Sequence, residues 1–280
     1  MKTKNKKKLS KKKKSRSNKI KAYKGGNNSV TVVSAYYEIK SKRSKEEYLE
    51  RIKRFWSYIP CNLVFFTDKE HTSFIEDVRK DFKDKTKVVT LELEEFEALK
   101  KYGKTFWEKQ YEIDFEKYHS PDLYMVWFEK KEFVLKSIEL NPFNSEYFVW
   151  CDAGISYPNT ELATNVDKFK EFPISSKIPN DKMLLLKLKD FSDIKLETNF
   201  RSVPESIAGN IFAGPKNIWK QYSKEYDEMI QHFINNNKFV GMDQSIMASL
   251  YIKNSSLFSV IDRNKYDWLT LLYYLCNINL

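Results

Sequence analysis

The run Tyr147-Phe148-Val149-Trp150-Cys151, followed at once by Asp152-Ala153-Gly154, constrains the fold more than any other stretch of the chain. Consecutive apolar and aromatic side chains without polar alternation predict a strand covered on both faces. Such a strand requires helices on either side of a sheet, which selects a layered α/β architecture. A carboxylate at its carboxyl end stands where open α/β sheets bind ligands, and Gly154 permits a sharp turn or a close approach. Asp152 therefore suits a residue that holds a divalent cation and, through it, a diphosphate. The rival reading is an Asp that shapes the turn after a core strand.

The segments before it have the same grammar. Residues 30–36 and 61–68 read as buried strands, the second again ending in an acid, Asp68, and residues 87–93 as a weaker third. Between them, residues 45–58 carry Tyr48, Leu49, Ile52, Phe55 and Trp56 at helical spacing, and residues 71–82 are helical in pattern. Residues 94–118 predict helix interrupted at Gly103. Residues 123–140 predict a helix that stops before Asn141-Pro142. The order β-α-β-α-β-α-α-β is that of a doubly wound α/β sheet. Beyond it, residues 182–188 read as a strand, 207–215 as an apolar segment bracketed by Gly209 and Gly214, and 218–235 as a helix. A further helix opens near Asp243, and residues 268–276 suit a terminal packing helix.

The formal charge of +11 invites a nucleic-acid reading, but its placement weakens it. Residues 1–24 contain thirteen Lys or Arg and no acid, leaving 36 basic and 38 acidic side chains elsewhere. A near-neutral globule lacks the basic face that duplex binding needs. We therefore expect a disordered Lys-rich tail over residues 1–28 and one domain over residues 29–280. The tail suits a nuclear-localisation-like signal, an electrostatic tether to nucleic acid or an anionic membrane, or a solubilising extension. No apolar run approaches a membrane span, and no secretory-signal core precedes the domain, so an intracellular, cytoplasmic protein is expected, with nuclear entry open to the tail. Cys61, Cys151 and Cys276 are far apart in apolar surroundings and read as reduced core residues. With three histidines in polar contexts, a metal would need oxygen ligands.

Neither a phosphate-binding P-loop, a G-x-G-x-x-G fingerprint nor a G-x-S-x-G elbow occurs. What the chain offers is an α/β domain with acidic strand ends and a late Asp243-Gln244. This set resembles the GT-A class of nucleotide-sugar glycosyltransferases, and more closely the HtrL/YibB (WlaTC-like) family. The resemblance is carried by residues 31–37, 62–68, 127–134, 141–155, 208–214 and 243–246, in that order, and is most specific around 141–155. It implies a Rossmann-like GT-A fold with a single mixed central sheet flanked by helices. It also implies transfer of a sugar from a nucleoside diphosphate sugar, such as a UDP-sugar, to a hydroxyl of a glycan, protein or lipid acceptor. Mn²⁺ or Mg²⁺ would assist the leaving diphosphate.

Under that resemblance Asp152 is the metal or donor ligand, although Gly154 stands where related enzymes carry the second acid of Asp-x-Asp. Lys131, with Lys130 beside it, would contact the diphosphate, or be a solvated lysine. Ala35, Tyr36 and Tyr37 would cradle the base, or be core and sheet-edge residues. Asp68 would bind base or ribose, or cap the next helix. Gly209 and Asn210 would let the backbone approach the sugar. Asp243 would be the general base of an inverting enzyme. In a retaining enzyme, Asp243 or Gln244 would stabilise the oxocarbenium-like centre instead. The alternative to an enzyme is a catalytically silent GT-A-like binding protein delivered to nucleic acid or an anionic surface by its tail.

Overall fold

The computed structural model describes residues 30–114, 116–117, 119–158, 166–190, 206–276 and 278. Its centre is an open seven-stranded sheet with the order β3-β2-β1-β4-β6-β5-β7. The strands are β1 (Val30–Tyr36), β2 (Asn62–Thr67), β3 (Thr86–Thr90), β4 (Tyr147–Cys151), β5 (Met183–Lys187), β6 (Ile211–Pro215) and β7 (Phe258–Asp262). β1 pairs in parallel with both β2 and β4, whereas β6 runs antiparallel to both β4 and β5. The sheet is thus mixed, with β6 the reversed strand. The helices are α1 (Lys45–Trp56), α2 (Thr72–Val78), α3 (Glu97–Tyr102), α4 (Lys104–Ile113), α5 (Pro121–Leu140), α6 (Lys216–Asn235), α7 (Asp243–Lys253) and α8 (Thr270–Leu275).

The continuous apolar strands alternate between two cores. Val33, Phe148 and Trp150 enter the layer that holds α5, α6 and α7, while Val32, Val149 and Cys151 enter the layer that holds α1 and α8. Period-two geometry sends neighbours to opposite faces, so burial on both sides erases polar alternation. At roughly 25 cal/mol per Å² of apolar surface removed from water, these two layers are the main source of stability. The three cysteines are buried and unpaired, as read from sequence.

Local chemistry sets several boundaries. Ser120 caps α5 by accepting from the Leu123 N–H at 3.3 Å, and Asn141 ends the helix in the left-handed region at φ 32°. Gly103 separates α3 from α4 at φ 75°, at the interruption its glycine predicts. The segment 71–82 is shorter as helix than its pattern predicts. α2 ends at Val78, and Phe82, at φ −131°, breaks the turn that follows. The segment 207–215 contains a central strand, β6, which its glycines disguise, and β7 has no counterpart in the sequence reading.

The strand order reverses direction at β1, with β2 on one side and β4 on the other. That is the switch point at which an open α/β sheet leaves a crevice beyond its strand ends.

Candidate functional site

A cavity of about 390 Å³ occupies that crevice, large enough for a small-molecule ligand. The end of β1 supplies Ala35, Tyr36 and Tyr37, and the end of β4 supplies Trp150, Asp152, Ala153 and Gly154. Its wall also carries Lys40, Arg43, Lys45, Arg51 and Lys130 against the acids Glu38 and Asp152, so the cationic charges outnumber the anionic ones.

Lys130 is the chemical centre. It lies on α5, is only 5% exposed, and its Nζ donates to the Gly209 carbonyl at 2.9 Å and to Asp243 Oδ2 at 2.8 Å. Asp152 Oδ1 stands 3.3 Å away on the cleft side. Burial alone would push the ammonium pKa down, but Asp152 and Asp243 outweigh it and hold it above the usual lysine range. Asp152 Oδ1 also accepts from Trp150 Nε1 at 2.8 Å, and its backbone N–H donates to the Asn210 carbonyl at 2.8 Å. Four segments distant in sequence therefore converge on one charge.

Glycine is needed at 209 because any Cβ there would lie 2.8 Å from Asp243 Oδ2. At Gly154 a Cβ would meet the Tyr48 ring at 3.1 Å. The ring of α1 thus crowds the place of a second acid. Asp152 is consequently a poor ligand for a divalent cation. One oxygen already faces Lys130 and the Trp150 N–H, no neighbouring carboxylate stands at 154, and an ammonium 3.3 Å away repels a second cation.

Other expected residues fall in and out of the cleft. Lys131 does not line it. Its ammonium sits 4.2 Å from the Phe128 ring centroid and pairs with Glu132 and with Asp227 at 2.9 Å. The lysine that lines the cleft is its neighbour Lys130, because adjacent helical positions point about 100° apart. Asp243, at the first turn of α7, is 5% exposed and stands behind Lys130 instead of on the cleft wall. Gln244 Nε2 donates to the Ile207 carbonyl at 2.6 Å, holding the segment before Gly209. Asp68 accepts from the His71 N–H at 2.9 Å and pairs with His71 Nδ1 at 2.7 Å, so it organises the entry to α2. Asn210 Nδ2 donates to the Trp268 carbonyl at 3.0 Å.

Sequence reasoning missed Arg43, Lys45, Arg51, Trp127 and Tyr157. One signal was available for Arg51: it occupies the apolar stripe of α1, between Tyr48 and Phe55, where a cation is out of place. Arg51 is 3% exposed, its guanidinium lies 4.9 Å from the Tyr157 ring centroid, and its Nε has no hydrogen-bond partner. At the rim, Glu38, Glu70 and His71 bring ligand atoms within 4.8 Å of one another and could hold a divalent cation. Lys45 already pairs there with Glu38, and with Glu70 at 2.9 Å.

An open mixed sheet with helices on both faces and a polar crevice at its switch point defines a Rossmann-like α/β protein. Residues 28–274 match the family model described as "Bacterial protein of unknown function (HtrL_YibB)", and the chain belongs to that family. The crystal structure of mouse xyloside xylosyltransferase 1 in its apo form is similar over 89% of this chain and 93% of its own. That likeness has 13% identity and a TM-score of 0.47. No curated protein sequence matches the chain. Among the described residues, no helix is long and apolar enough to cross a membrane.

Proposed function

We propose that the chain is a glycosyltransferase that takes its sugar from a nucleoside diphosphate sugar. The observation that carries this reading is the cleft wall: Lys40, Arg43, Lys45, Arg51 and Lys130 face Glu38 and Asp152 at the switch point of the sheet. Arg43 and Arg51 share Glu47, at 3.1 and 2.7 Å, yet the Arg51 Nε–H is a buried donor without an acceptor, and a diphosphate oxygen supplies one. Tyr36, Trp127 and Tyr157 give the cleft aromatic faces on which a base or sugar can stack.

In the transfer, an acceptor hydroxyl oxygen bonds to the anomeric carbon as the bond from that carbon to the diphosphate oxygen breaks. The bonding pair leaves with the nucleoside diphosphate, whose growing charge meets the basic wall. The hydroxyl proton goes to Asp152, the carboxylate beside Lys130 that is open to the cleft. Asp243 acts through Lys130 as a positioning residue, and Gln244 anchors the segment that carries Gly209.

Thermal-shift measurements with UDP-, GDP- and CMP-sugars test the reading, CMP-sugars serving as the monophosphate contrast. One diphosphate sugar should raise the melting temperature, and Arg51→Ala should weaken its binding about tenfold, the worth of one charge-assisted contact. Asp152→Asn should retain binding and lose donor turnover. Absence of any shift would defeat the proposal.

A further inference from the structure

We propose that the Lys130 ammonium takes the place of a divalent cation in this cleft, so that diphosphate binding is independent of added metal. The inference rests on the nucleotide-sugar reading above and goes beyond it, since that reading leaves open whether a divalent cation takes part.

The geometry around Nζ is that of a cation held by oxygens. Asp243 Oδ2 at 2.8 Å, the Gly209 carbonyl at 2.9 Å and Asp152 Oδ1 at 3.3 Å surround it. Asp243 and Gly209 take two of its protons from behind, and the third faces Asp152 and the cleft, where a phosphoryl oxygen can share it. The chain also excludes the usual metal arrangement twice over. Position 154 carries no carboxylate, a Cβ there would lie a tight 3.1 Å from the Tyr48 ring, and the remaining acid, Asp152, already faces an ammonium.

The centre is also built at a cost. Burying a charge is unfavourable unless it is well paired, and here Gly209 must remain bare for Asp243 to approach. Two carboxylates and one ammonium leave the centre one charge negative. Along the same wall Arg43 and Arg51 share one carboxylate, Glu47, and the Arg51 Nε–H remains without an acceptor, so this guanidinium is placed to offset that charge when a diphosphate binds. A divalent ion at the same point would meet Lys130 at contact distance, and repulsion would displace one of them.

The test is calorimetric titration of the full chain with UDP and GDP, first in EDTA and then in excess Mn²⁺. The expected result is binding in EDTA, with the dissociation constant changed less than twofold by Mn²⁺. A tenfold or greater tightening with Mn²⁺ would overturn the inference while leaving the donor reading intact. If His71→Ala removes that tightening, the cation belongs to Glu38, Glu70 and His71 instead. If neither nucleotide binds in either buffer, the donor reading falls and takes the inference with it.

Because Lys130→Ala would leave two carboxylates facing each other and threatens folding, the variant of choice is Lys130→Met with Asp243→Asn. It should keep a cooperative thermal transition and lose at least tenfold in EDTA affinity. Unchanged affinity in the folded double variant would also overturn the inference.

Discussion

Lys130 and Lys131 are neighbours of the same type on one buried helix, yet they do different work. Lys130 reaches across to α7 and the segment before β6, whereas Lys131 lies against Phe128 and pairs with Asp227 on α6. The approach of Asp243 to Lys130 depends on a single missing methyl. Gly209→Ala places a carbon 2.8 Å from the Asp243 carboxylate, so the ion pair must open or the backbone must move. We expect a loss of about 1–3 kcal/mol in urea denaturation, the usual cost of overpacking, together with weakened nucleotide binding. A variant as stable as the parent would show that the Lys130 centre tolerates displacement.

Among the elements, α5 does the most to organise the molecule. It carries Lys130 toward the cleft and Glu129 toward α3, where Oε1 and Oε2 accept from the Glu97 and Ala98 N–H groups, each at 3.1 Å. Burial pushes the Glu129 carboxyl up to about 7, against the two backbone donors that favour its charged form. The folded state then holds this proton more tightly than the unfolded chain. Its stabilising contribution is full below about pH 4.5 and is lost as pH rises through about 7. The window corresponds to on the order of 3 kcal/mol. Glu129→Gln should flatten the fall in melting temperature between those two pH values, measured by circular dichroism, even if it lowers the maximum. An unchanged slope would place the titration on another group. The elements were unequally legible. Strands β1, β2 and β4 could be read because two-sided burial demands unbroken apolar runs. β6 could not, because a strand made of Ile211, Phe212, Ala213, Gly214 and Pro215 carries the residues of a turn. β7 is half-exposed at the sheet edge, where neither period nor composition is strict.

For the whole molecule, charge divides between the tail and the rest. Residues 1–24 hold thirteen of the 49 basic side chains, and the remainder is close to neutral. Deleting residues 1–24 should abolish salt-sensitive binding to DNA or anionic vesicles, read by fluorescence anisotropy and co-sedimentation. Nucleotide affinity should stay within twofold, because the cleft lies at the strand ends. Retention of polyanion binding by the shortened chain would locate it on the domain. The order of strands and helices as far as β4, the two-faced burial of those strands and the acid beyond β4 were determined by sequence alone, since each follows from local period and from what a covered strand must exclude. The seat of the cationic charge was decided by tertiary structure. Asp152, Gly209 and Asp243 meet Lys130 only after β6 reverses beside β4 and brings α7 behind α5. The same packing turns Lys131 away, stands Asp243 behind Lys130 and sets Tyr48 against Gly154. Spacing along a chain carries no record of contacts such as those of Lys130 with Gly209 and Asp243, 79 and 113 positions away, and at a buried charge those contacts govern the chemistry.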